Sequence, residues 1–228
     1  MSIPLPQYWT SPNGNRARTT YIVFHHAAYT YPVGGAVQSI YNYHRSRWPA
    51  YNACGYHIIC QQDADGIHAY QVNPHDMQGA GVAERNHECY HVCCATNFTG
   101  TPSDAWLDAG AAALADAKRR YPQGQIVGHK EIALPGYGTT CPGALWTEWK
   151  PRLLARVNQL LALPGAGLYR VLAPMWISET PGPFGPIALA GAAIVQAGEL
   201  LPIDQVKDGY AHLESGVGFL PIGGLERL

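Results

Sequence analysis

Residues 128–143 read GHKEIALPGYGTTCPG, and QIV (125–127) stands immediately before them. QIV is short, apolar and partly β-branched, the pattern of a buried strand. His129 follows the strand's end, and Cys141 comes twelve residues later, in front of Pro142 and Gly143. A loop of this kind can hold an imidazole and a thiol near each other without a CxxC pair. A third donor has to come from elsewhere, and the early stretch TTYIVFHHAA (19–28) offers one. TTYIVF is continuous, β-branched and aromatic, as a central buried strand should be, and it runs directly into His25 and His26. The end of a strand is a rigid place from which to hang a ligand.

Zinc in a catalytic site takes three protein ligands and keeps a fourth position open, and His25, His129 and Cys141 meet that demand. Two other chemistries use the same residue types. A structural zinc would take a fourth ligand, from His26 or His57. A thiol nucleophile would be Cys141 or Cys54 beside a histidine, with no metal at all. Each of these residues taken singly is more ordinarily a core residue.

Outward from the two motifs, the chain alternates strands and helices. Residues 1–18 lack periodicity and read as a loosely packed arm. Gly34–Trp48 carries Val37, Ile40, Tyr41 and His44 at helical spacing. GYHIICQ (55–61) and IHAYQV (67–72) flank DADG, a hairpin signal. CYHVCCA (89–95) is a further buried strand. A helix follows, with Thr101 as N-cap, Pro102 in the first turn and Asp104 completing a capping box, ending at the basic pair Arg119–Arg120. The last helix runs from Thr147 to Leu161, tolerating Pro151 in its first turn and burying Leu153, Leu154, Val157, Leu160 and Leu161. Beyond LPGAG (163–167) the helical period vanishes and short apolar runs alternate with Pro/Gly turns. The fold class is α/β, a mixed central β-sheet flanked by helices, followed by a small all-β unit of about five strands. The domains are 1–163, a linker at 164–167, and 168–228.

IVFHHAA, GYHIICQQDADG and VGHKEIAL…TTCPG, in this order and spacing, resemble the zinc-dependent N-acetylmuramoyl-L-alanine amidases, which share their fold with peptidoglycan recognition proteins. The resemblance spans roughly residues 15–162. It implies one zinc per chain, held by His25, His129 and Cys141, and bacterial peptidoglycan as partner. It also implies that Tyr56 positions the nucleophile or stabilises the oxyanion, a task suited to a phenol donor. Thr139 takes the catalytic place that is a lysine in many bacterial and phage members, supplying a neutral donor. The strand position that is a glutamate in some members is Cys93, and a His-Ala-Gly of some relatives reads Gly79-Ala80-Gly81. Read from position rather than from the resemblance, His26 is a substrate contact, a hydrogen-bond partner of a ligand or a packed core residue, and Trp48 and Asn52 either wall a groove for sugar or stem peptide or pack as core and rim. The implied activity is cleavage of the amide between N-acetylmuramic acid and L-alanine; the alternative is a non-catalytic peptidoglycan-binding protein. The C-terminal GYAHLESGVGFLPIGGLERL resembles the end of a bacterial SH3-like domain, which implies a cell-wall-binding barrel.

Composition narrows the setting. The net charge is −1 and charged residues are 14%, against a broad electrostatic footprint for nucleic acid. No run of eighteen apolar residues occurs, so no membrane insertion is expected. MSIPLPQYWT has no basic-then-apolar pattern, so no signal peptide is expected. With the resemblance to wall amidases and the wall-binding tail it implies, the lack of a signal peptide suggests a phage or prophage endolysin, made in the host cytoplasm and acting on the wall after release. The six cysteines lack the spacing of a disulfide scaffold and, Cys141 apart, read as reduced buried thiols.

Overall fold

A computed structural model of the chain describes residues 14–47 and 53–162, and beyond them the strand segments 167–171, 175–176, 194–195, 200–207, 210–213, 219–221 and 225–227. Trp48, Asn52 and most of the linker lie outside the described residues. The first five strands of the sheet are β1 (Tyr21–His26), β2 (Ile58–Asp63), β3 (Gly66–Gln71), β4 (Cys89–Cys94) and β5 (Gln125–Gly128), and β3 continues it by pairing antiparallel with a later strand at Ala69–Leu200. They lie in the order β3-β2-β4-β1-β5; β2, β4, β1 and β5 are parallel, and β3 closes the Asp63–Gly66 hairpin as the antiparallel member. The helices are α1 (Ala36–Arg47), α2 (Asp104–Arg120), the single turn α3 (His129–Ile132) and α4 (Trp146–Ala162). The α/β, mixed-sheet expectation holds. No helix among the described residues is long and apolar enough to cross a membrane.

Strand alternation divides the core in two. Ile22 and Phe24 of β1 join Tyr90, Val92 and Cys94 of β4 beneath α2 and α4. Alanines 111, 112, 113, 115 and 117 let α2 lie close to the sheet. At Gly110 even a Cβ would come within 2.9 Å of Phe24 Cε2. Phe24 stacks on Trp146 (5.9 Å between centroids) and meets the edge of Trp149 (6.1 Å), and the two indoles meet edge to face at 4.7 Å. Each such pair adds about 0.5–1.5 kcal/mol beyond area burial. On the opposite face Ile59 and Cys93 pack under Val37 and Ile40 of α1.

Local details depart from the sequence reading. The cap of α2 is Ser103, in extended conformation, and no side-chain capping bond forms. Its carbonyl accepts the first helical bond from Leu107 N, and Asp104 instead pairs with Arg152 (2.9 Å) and Arg156 (2.7 Å) of α4. Pro151 falls in the second turn of α4, where the carbonyl it leaves without a helical donor belongs to exposed Thr147 and can face water. Leu154 and Leu161 are only partly buried, while Trp146 and Trp149 take the centre of that face. The arm is pinned rather than loose where it is described. Arg16 donates to Met77 O (2.9 Å), Tyr121 Oη (3.0 Å) and Thr19 Oγ1 (3.1 Å), and its guanidinium lies 5.3 Å from the Tyr90 and Tyr121 ring centres. One arginine with five donors needs no sequence period to anchor a segment. All six cysteines are buried and free.

From residue 167 every described element is a strand: β6 (Gly167–Val171), β7 (Met175–Trp176), β8 (Ile194–Val195), β9 (Leu200–Lys207), β10 (Tyr210–Leu213), β11 (Phe219–Pro221) and β12 (Leu225–Arg227). β9, β10 and β11 form an antiparallel meander, β6 pairs with both β9 and β12, and β7 pairs with β8.

Two outcomes follow from this packing. Gly128→Ala would drive a Cβ to 2.7 Å from Trp146 and 2.8 Å from Pro142; we expect urea unfolding to show a loss of about 1–3 kcal/mol. Burial lowers His44 to about 4, and lowers His57 well below its ordinary value, with Arg16 adding to the effect. The unfolded chain binds protons at these residues near 6.5, where the folded chain does not. Their contribution is therefore complete above about pH 6.5 and is lost as pH falls towards 4. The melting temperature of the metal-free protein should drop through that window; a flat profile would contradict it.

Candidate metal centre

The site is assembled by strand register. β1 and β5 run parallel with Phe24 opposite Gly128. One residue further along both chains stand His25 and His129, whose rings lie 4.9 Å apart between centroids. His25 is 1% exposed and turns to the α1 side of the sheet; His129, the first residue of α3, is partly exposed. Glu131 holds the α3 turn in place, accepting from Gly128 N (2.6 Å) and from Lys150 Nζ (2.8 Å).

Cys141 arrives on the following loop. Lys130 N donates to its carbonyl (2.8 Å), and its own N–H donates to Thr139 Oγ1 (3.1 Å). Lys130 Nζ ties the far side of the loop to the Gly143 and Ala144 carbonyls, both at 3.1 Å. The thiol sits 3.6 Å from His25 Nδ1 and accepts from His26 N at 3.4 Å. One donor atom each from His25, His129 and Cys141 lies within 4.8 Å of the other two. Ideal zinc–nitrogen and zinc–sulfur bonds in a tetrahedron separate N from S by about 3.6 Å, so the His25–Cys141 edge already has the span zinc requires. Two imidazoles and a thiol, with no carboxylate among them, are a donor set that suits zinc.

Burial sets the protonation of the three. It lowers His129 to about 4 and lowers His25 well below its ordinary value, His129 and His91 adding to the latter. Burial pushes the Cys141 thiol up to about 12, against a smaller opposing pull from the His26 N–H. Both imidazoles are thus neutral and ready to ligate, whereas the thiol ionises only when a cation compensates it.

The remaining sequence candidates separate cleanly. Tyr56 lies beside the cluster, its ring 5.1 Å from that of His25. Desolvation, then the Cys93, Cys141 and Cys54 thiols, hold its phenol well above its ordinary pKa. Thr139 reaches the site through its bond to Cys141 N. His26 does not line it: successive strand residues face opposite ways, and its ring stacks on Phe98 and accepts from Phe98 N (3.0 Å) in the α2/α4 core. His26 is therefore a packed core residue rather than a substrate contact. His57 is no fourth ligand either, because its Nδ1 accepts from His91 N (2.9 Å) and its Nε2 faces Met77 O (2.8 Å). Cys54, wholly buried, has its thiol pushed up to about 12, and its neighbour His44 already accepts from Gly55 N (2.9 Å). The Cys54 thiol lies 3.4 Å from His44 Nδ1, an acceptor already used by Gly55 N. The acids nearest in sequence are committed elsewhere, Glu88 to Arg85 (2.7 Å) and Glu131 to Lys150.

The sequence reading did not attach two β4 residues, His91 and Cys93, to His25. Val23 pairs with His91 and His25 with Cys93 in the β1–β4 register, so both β4 side chains share the face of His25. His91 Nδ1 lies 3.1 Å from His25 Nε2. The alternation in CYHVCC carried that signal, but only a known register attaches it to His25. The empty side chain at Gly79 has a steric reason, since a Cβ there would meet His91 Cδ2 at 2.6 Å and Gly55 O at 2.7 Å.

Comparison with known proteins places this geometry in context. No curated protein sequence matches the chain. Among solved structures it is similar to the Ph2119 endolysin from Thermus scotoductus MAT2119 bacteriophage Ph2119 (28% identity, 63% of this chain, 88% of that one, TM-score 0.48). It is also similar to bumblebee PGRP-SA (20% identity, 64% and 88% covered, TM-score 0.52) and to Drosophila PGRP-LB (20%, 64% and 86%, TM-score 0.50). At that identity the PGRP likeness speaks for the shared fold alone. The family description N-acetylmuramoyl-L-alanine amidase matches residues 15–144, a span of more than half the chain that takes in β1 to β5 and all three clustered donors, and to that family the chain belongs.

Proposed function

We propose that the protein hydrolyses the amide between N-acetylmuramic acid and the L-alanine of the peptidoglycan stem peptide, using one zinc held by His25, His129 and Cys141. The observation that carries this reading is the three-donor cluster within 4.8 Å, with no fourth protein ligand among the described residues. A three-ligand set is the catalytic pattern, whereas structural zinc is enclosed by four. When bound, zinc supplies Lewis-acid polarisation of a carbonyl and an acidified water as nucleophile. The protein supplies the rest. Tyr56, kept protonated, donates a hydrogen bond where negative charge develops on the scissile carbonyl oxygen. Thr139 accepts from Cys141 N, which orients the loop and leaves its own hydroxyl hydrogen to donate to substrate. The neutral imidazoles keep a further positive charge out of the pocket.

The tail from 168 to 228 is proposed as an SH3-like wall-binding unit that raises the effective concentration of the site at the polymer. Its antiparallel strands support that reading. Trp48 and Asn52 are proposed contacts for sugar or stem peptide. A phage or prophage endolysin, made in the host cytoplasm and acting on the wall after release, is the setting that fits wall-amide hydrolysis joined to such a tail. A non-catalytic peptidoglycan-binding role is favoured by one observation: Glu88 and Glu131 are paired away from the cluster, and no carboxylate belongs to it.

Purified wall separates the two roles. Hydrolysis should release new L-alanine amino termini without new reducing sugar ends, stop when a chelator strips the metal and return with zinc. Wall binding without new amino termini would establish the recognition role instead. Cys141→Ser should lower zinc affinity and turnover together by more than about 100-fold, exceeding the usual loss from an outer partner, while still co-sedimenting with wall. Tyr56→Phe should keep its zinc and lose about 10²–10³ in kcat; equal loss of metal would reassign the phenol to ligand support.

A further inference from the structure

His91 is 0% exposed, yet its Nε2 has no hydrogen-bond partner among the described residues. An apolar side chain would fill the same volume without leaving a polar atom unpaired. The other ring nitrogen explains the imidazole: Nδ1 lies 3.1 Å from His25 Nε2. His25 Nδ1 meanwhile faces Cys141 Sγ at 3.6 Å, on the side of the donor cluster. A neutral imidazole carries one proton. For Nδ1 to ligate, that proton must sit on Nε2, where His91 Nδ1 is placed to accept it.

The ring of His91 is fixed on every side. Its backbone N–H donates to His57 Nδ1 (2.9 Å), His57 N donates back to its carbonyl (3.0 Å), and the two rings stack at 5.6 Å. Gly79 and Gly81 open the slot it occupies. A Cβ at 81 would lie 2.7 Å from His91 Nδ1 and 3.0 Å from Cε1 and Cγ, touching nothing else as closely.

We infer that His91 is a positioning residue for His25: by accepting from His25 Nε2 it holds the tautomer and ring orientation that present Nδ1 to the metal. The inference rests on the metal-site reading above. Partners of this kind set ligand basicity and orientation, and losing one weakens metal binding about 10–100-fold.

The test combines zinc affinity, measured by competition with a chromophoric chelator, with NMR of the histidine ring nitrogens in the metal-free protein. His25 should carry its proton on Nε2 in the wild type, a readout that needs no variant and no metal. His91→Leu, which fills the slot without an acceptor, should bind zinc about 10–100-fold more weakly. His91→Asn, whose Oδ1 falls near the place of Nδ1, should recover most of that loss. Gly81→Ala should weaken binding with the imidazole chemically intact, because it displaces the ring. A proton on His25 Nδ1, or a folded His91→Leu that binds zinc as tightly as wild type, overturns the role of His91 alone. A wild-type protein that takes up no zinc overturns the metal-site reading and this inference with it.

Discussion

Phe24 and Gly128 face each other across a parallel ladder, and the next residue on each chain is a histidine of the cluster. Everything chemical about the protein depends on that pairing. A slip of one residue would turn His25 to the α2/α4 face and send His26 in its place. The register is held from behind. Phe24 stacks on Trp146, and Gly128 leaves no room for a Cβ between Trp146 and Pro142. The aromatic core under α4 is therefore also the jig that aligns the donors, and Pro142, next to Cys141, ties the third donor to the same contact.

The site is electrostatically quiet before any metal arrives. Its imidazoles are neutral and its thiol is protonated, each because burial disfavours the charged form. Three groups that cannot easily ionise in a dry pocket are poorly satisfied on their own and well satisfied around a divalent cation. The cluster's readiness for metal and the thiol's poor reactivity as a free nucleophile thus have one cause. Among the described residues no carboxylate joins the cluster; Tyr56 lies beside it, and Thr139 Oγ1 accepts from Cys141 N.

The same face of the sheet tolerates an unusual load of buried imidazole. His25, His57 and His91 are each 1% exposed or less. They are accommodated by bonding to one another's rings and backbones and by two glycines that leave space for His91. Apolar packing is concentrated on the other face, where α2 and α4 cover the sheet.

Much of this was legible from residues alone. Continuous β-branched runs marked β1 and β5, the Asp-Gly signal marked the β2–β3 hairpin, and the spacing of His25, His129 and Cys141 within matching motifs marked the donor set. Such signals are local, because period, turn chemistry and motif order reside in short stretches of chain. Other features were decided only when distant segments met. Ser103 rather than Thr101 caps α2, and Asp104 pairs with Arg152 and Arg156 on another helix. Arg16 anchored a segment with no periodicity because its partners come from residues 77 and 121. His26, adjacent to His25 in sequence, went to the opposite face through the two-residue period of a strand, while His91, sixty-six residues away, came within 3.1 Å of His25. A strand's neighbours are set by long-range pairing, and pairing across a parallel sheet leaves no mark on either strand's own sequence.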